Sequence, residues 1–197
     1  MQEFYTYFTL GLQHILNLEA IDHLLFILSF VCIYTFANLK HTFYLVTAFT
    51  IGHSVTLAIA TFKVLSFSQY WIEFLIPCTI LFSALSNLNF EKLSPSKEKV
   101  SVLKYLIICI FGFIHGLGFS NYLQGLLGKE QNLIVPLFSF NIGLEVGQLV
   151  VLTIILFVLS FIVNGFRIKQ KSIVLVISGI IIGFCIPMIL ERVLQAM

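Results

Sequence analysis

Residues 134–163 read IVPLFSFNIGLEVGQLVVLTIILFVLSFIV, a run whose single charged side chain is Glu145. About 20 apolar residues cross some 30 Å of hydrocarbon as a helix, so this run is long enough to span a bilayer with tilt to spare. Further apolar stretches lie near 20–37, 42–62, 70–88, 104–127 and 172–191, separated by polar breaks. The 197 residues are 59% hydrophobic and 10% charged, with a mean hydropathy of +1.02. Soluble domains carry about 25% charged residues, which leaves no sizeable soluble part here. The expectation is all-α: a polytopic transmembrane helix bundle of six full spans, forming a single transmembrane domain over 1–197.

An extra apolar segment, 4–17, precedes the first span. Residues 4–37 as one helix would measure roughly 50 Å, too long for a single crossing. The polar cluster QHILNLEAIDH, residues 13–23, is expected to break it into a short half-helix followed by the first full span. The N-terminal stretch has no Lys or Arg ahead of its apolar run, unlike a secretory signal, and reads as retained.

Basic residues set the expected orientation. Eight fall in alternate breaks (Lys40; Lys92, Lys97, Lys99 and Lys104; Arg167, Lys169 and Lys171), against Lys63, Lys129 and Arg192 on the other side. The positive-inside rule then makes the 89–103 loop cytoplasmic and turns the C-terminus outward. The four cysteines (Cys32, Cys78, Cys109, Cys185) stand singly in separate apolar stretches without a C-x-x-C, so neither a disulfide framework nor a thiolate metal site is indicated. A formal charge of +2 spread over short breaks argues against nucleic acid as a partner.

Ionisable groups inside the spans need explaining, because each costs at least about 2.5–3.5 kcal/mol at a helix centre. His53 lies mid-span in FTIGHSVTLA and His115 mid-span in FGFIHGLGFS, while Asp22 and His23 open the first full span and Glu145 sits in FNIGLEVGQ. With the topology above, these five converge on one site reached from outside. Asp22 reads equally as a helix N-cap, and a lone buried histidine is often bonded only to a carbonyl. Taken together, three imidazoles and two carboxylates without a thiolate suit a borderline divalent ion such as nickel, cobalt or zinc. Such a site should lose affinity as its histidines protonate.

Asn141, Glu145 and Gln148 share one helix face, which cannot face lipid, and Gly143 and Gly147 form a G-x-x-x-G on the same helix. Ser54, Asn141 and Gln148 are candidates for orienting the ligands. Gly52, Gly112, Gly116 and Gly118 flank the two central histidines, either bending the helices there or admitting a neighbour closely.

The segments GLQHILNLEAIDHLLFIL, FTIGHSVTLA, FGFIHGLGFS and FNIGLEVGQ, in that order on successive apolar stretches, resemble the HupE/UreJ family of bacterial membrane proteins, regarded as nickel or cobalt permeases. The resemblance covers nearly the whole chain and implies a multi-pass protein of the bacterial inner membrane. It matches His14, Asp22 and His23 to the family's His followed by Asp-His, which adds His14 to the ligand set, and His115 to its Phe- and Gly-flanked histidine. Two departures stand out. More residues separate His14 from Asp22 than is usual in the family, and Gly118 and Phe119 occupy the place of a second His-Gly followed by Glu.

The expected function is therefore a permease for a divalent transition metal, nickel or cobalt before zinc, with the ion as substrate, no organic cofactor, the lipid bilayer as surroundings, and a homo-oligomer left open. The rivals are an intramembrane zinc hydrolase, for which no H-E-x-x-H or G-x-S-x-G is present, and a haem-binding electron carrier using paired histidines. A structural subunit without substrate would leave the polar cluster unexplained.

Overall fold

A computed structural model describes residues 1–17, 21–64, 67–89, 102–127 and 133–195. All regular structure among them is helical: α1 (Gln2–Leu16), α2 (Ile21–Val31), α3 (Leu39–Thr61), α4 (Gln69–Ser86), α5 (Val102–Leu127), α6 (Ile134–Gly165) and α7 (Gln170–Gln195), with short 3-10 turns at Phe36–Asn38 and Asn87–Asn89. Five helices, α3 to α7, are long and apolar enough to cross a membrane. Apart from its ends, the 89–103 loop lies outside the described residues.

The beginning of the chain differs from the expected half-helix plus full span. Here α2 has 11 residues, about 16 Å of helix, which is short of a crossing. Only α1 and α2 taken together as one broken span, bent by 66°, would give a sixth. Between α2 and α3 the Thr35 N–H and hydroxyl both donate to Asn38 Oδ1, at 3.3 and 3.1 Å, which fixes the Phe36–Asn38 turn that leads into α3.

What α2 lacks in length it makes up in burial. Seven of its residues, His23, Leu25, Phe26, Ile27, Ser29, Phe30 and Val31, are buried, and it packs on α4, α6 and α7. A helix apolar on all sides has to be enclosed, and in this bundle its neighbours are other helices. The outer helices give their remaining faces to lipid. On α6, for example, Phe157 is 64% exposed while Leu152 and Leu156 are closed into the core.

Two close helix pairs frame this centre: α3 against α5, and α1 against α6. Glycine makes both contacts possible. A Cβ added at Gly52 would strike the carbonyl oxygen of Cys109, and one at Gly112 would strike that of Phe49. In the second pair, Gly11 lies on the Phe140 carbonyl and Gly143 on that of Phe8. Helix α5 runs unbroken through Gly112, Gly116 and Gly118, so these glycines do not interrupt the helix. Close approach of small residues is how membrane helices gain packing energy without a hydrophobic drive.

Candidate metal site

Four helices each deliver one histidine to the middle of the bundle: His14 from α1, His23 from α2, His53 from α3 and His115 from α5. Ring centroids lie 4.6 Å apart for His14 and His23, 5.5 Å for His23 and His115, 6.1 Å for His23 and His53, and 6.4 Å for His14 and His53. Donor atoms of His14, His23 and His53 all fall within 4.8 Å of one another, as do those of Asp22, His23 and His115. The two sets share His23. The long spacing between His14 and Asp22 straddles the change from α1 to α2, so a bend, not helical register, brings His14 to the other rings.

Hydrogen bonding leaves these rings poised. His14 Nε2, His23 Nε2, both nitrogens of His53 and His115 Nδ1 are buried without a hydrogen-bond partner. His53 is fully buried and His115 is 1% exposed. Buried polar atoms are nearly always paired, since leaving one unmade costs about 1–3 kcal/mol, so five in one spot are a strong sign of a group that binds there. Phe26 and Phe49 stand 5.1 and 5.3 Å from the His115 ring, and Phe119 stands 3.9 Å from that of His14. This aromatic wall makes the unmet nitrogens harder to satisfy by other means.

The partners that do exist fix which nitrogen is free. His23 Nδ1–H donates to Asp22 Oδ1 at 3.1 Å, which turns the Nε2 lone pair toward the other rings. On α4 the Thr79 hydroxyl donates to the Ile76 carbonyl at 2.7 Å. With its hydrogen so used, Thr79 Oγ1 accepts Nε2–H of His115 at 3.1 Å and leaves Nδ1 as a lone-pair donor. These tautomers follow from the hydrogen-bond network. Both pairs have the form in which an outer group sets the orientation of a metal-binding imidazole. For a metal held by this cluster, titration of purified protein with nickel should show binding about 10–100-fold weaker in Thr79→Val and restored in Thr79→Ser.

The remaining site residues of the sequence reading lie between α3 and α6. Glu145 Oε1 accepts from Thr47 at 2.8 Å, Gln148 Oε1 from Thr50 at 2.7 Å, and Asn141 Oδ1 from Ser54 at 2.7 Å. The shared face of Asn141, Glu145 and Gln148 thus packs on protein, as its polarity requires. Glu145 belongs to neither donor set, and the three bonds join two helices instead of orienting His53, whose nitrogens they leave unpartnered. Thr79 was not singled out from the sequence. Its signal was slight: a hydroxyl inside an apolar span, able to bond back to a carbonyl of its own helix.

Fold and site together define a polytopic membrane protein with a sulfur-free histidine and carboxylate cluster at its centre. The chain belongs to the HupE/UreJ family: the family model described as HupE / UreJ protein matches residues 1–192. That membership ties it, at the level of class, to membrane proteins connected with nickel and cobalt transport. No curated protein and no solved structure matches it.

Proposed function

We propose that this protein is a permease that carries a divalent transition-metal ion, nickel or cobalt, through the histidine cluster. The observation that carries the reading is the set of five buried, unpartnered ring nitrogens gathered beside Asp22. Imidazole and carboxylate donors without thiolate favour borderline ions over calcium or magnesium, which prefer oxygen cages. The two donor sets meet at His23, so an ion that replaces the proton between Asp22 and His23 Nδ1 lies one ring away from the set of His14, His23 and His53. Overlapping, incomplete positions hold an ion in place of its waters yet release it, as transport requires.

The protein sits in the bacterial inner membrane with its basic 89–103 loop in the cytoplasm and its C-terminus outside, a placement supported by the distribution of Lys and Arg. Sealed proteoliposomes test the reading. The wild type should accumulate labelled nickel or cobalt, and His115→Ala should not, although it inserts normally. Lipid turnover without accumulation would favour a zinc hydrolase instead, and equal uptake by both proteins would remove the cluster from the path.

A further inference from the structure

A cavity of about 260 Å³ opens at the end of the bundle where α2 and α4 begin and α7 finishes. Asp22, Glu73, Pro77, Met188, Glu191 and Arg192 line it. Three carboxylates against one guanidinium leave it net negative. Asp22 is the important lining residue, because it also belongs to the donor set with His23 and His115, and His115 Nδ1 is buried and unpartnered. The cavity is therefore lined by a group that belongs to the cluster's donor set.

Arg192 occupies the place a mobile cation would seek. Its Nη1 stands 3.0 Å from Glu73 Oε2, with both side chains 33% exposed, and the same atom donates to Gln195 Oε1 at 3.0 Å. Gln69 Nε2 donates to Glu73 Oε1 at 3.0 Å. Ion pairs this open to solvent are weak, and a doubly charged ion competes well for the carboxylate. By contrast, a cavity of about 410 Å³ beyond the other end of α2, lined by Tyr34, Thr35, Ser160, Asn164 and Gln170 among others, carries no charged side chain. Of these two cavities only the first carries the negative charge that draws a dication, and low-dielectric walls strengthen its field.

We infer that the Asp22–Glu73–Glu191 cavity is the mouth through which a divalent cation reaches the histidine cluster, with Arg192 as the counter-ion it displaces from Glu73. This rests on the transport reading and adds the path and its gatekeeping residues to it. Glu73 and Glu191 collect the hydrated ion, and Asp22 passes it inward to His23 and His115.

Initial rates of nickel and cobalt uptake in proteoliposomes test the inference. Glu73→Gln and Glu191→Gln should raise KM by about three-fold or more and Arg192→Gln should lower it, with maximal rates little changed, because these side chains act on capture through the field. Added salt should raise the wild-type KM and affect Glu73→Gln less. Metal bound by the purified variants should match the wild type, which separates a mouth from the cluster itself. Unchanged KM in all three variants would overturn the inference while leaving the transport reading intact. Loss of bound metal in Glu73→Gln as complete as in His115→Ala would also overturn it, making Glu73 a ligand. Absence of uptake by the wild type would overturn the transport reading and this inference with it.

Discussion

His53→Ala is expected to abolish uptake and to weaken metal binding by more than about 100-fold, since even the loss of a group that merely orients a ligand costs 10–100-fold. The reason lies in the two unpartnered nitrogens of a fully buried ring. No hydrogen bond is lost when the ring is removed, so folding should suffer only from the cavity left behind. His53→Ala should therefore insert and elute as the wild type does. Its metal content should be the quantity that collapses. Because Asp22, His23 and His115 form a donor set without His53, a residual weak site should remain in this variant. Removing His23, common to both sets, should eliminate that residue of binding. Equilibrium titration of the two variants side by side distinguishes them, and equal residual binding would contradict the shared-ligand geometry.

Gly143→Val is expected to be the most damaging substitution outside the cluster. An added side chain would meet the carbonyl of Phe8, and backbone cannot swing aside as a side chain can. The expected loss exceeds about 3 kcal/mol, above the ordinary cost of overpacking, and should appear as failure to recover monodisperse protein from membranes. Separation of α1 from α6 would also withdraw His14 from the other rings. Gly179→Ala is the matched control: a Cβ there meets nothing within 4 Å, so stability in detergent should be unchanged or slightly higher. If both variants behave alike, the glycine contacts are not what holds α1 in place.

Much of this architecture was legible in the sequence because bilayer thickness imposes a length on apolar runs. The stretches at 42–62, 70–88, 104–127, 134–163 and 172–191 match helices whose ends fall within a few residues of theirs. The first span was not legible, since a helix enclosed by other helices is as apolar as one facing lipid. Composition alone could not tell the 11-residue α2 from a crossing segment.

The cluster was legible through cost. His23, His53 and His115 stand out because imidazole is expensive in hydrocarbon, and the structure does bring them together with Asp22. His14 was reachable only by resemblance, since its place depends on the bend between α1 and α2. Glu145 also stood out by cost, and the partner the structure gives it is the hydroxyl of Thr47 on α3. The role of Thr79 needed coordinates, because it depends on which ring the packing of α5 on α4 brings beside its hydroxyl.

X-ray absorption on gently purified, nickel-loaded protein tests the central claim most directly. The account predicts a first shell of nitrogen and oxygen only, with imidazole scattering that weakens in His53→Ala and disappears when His23 and His115 are replaced together. A shell of sulfur, or one of water and carboxylate oxygen unchanged by those substitutions, would contradict it.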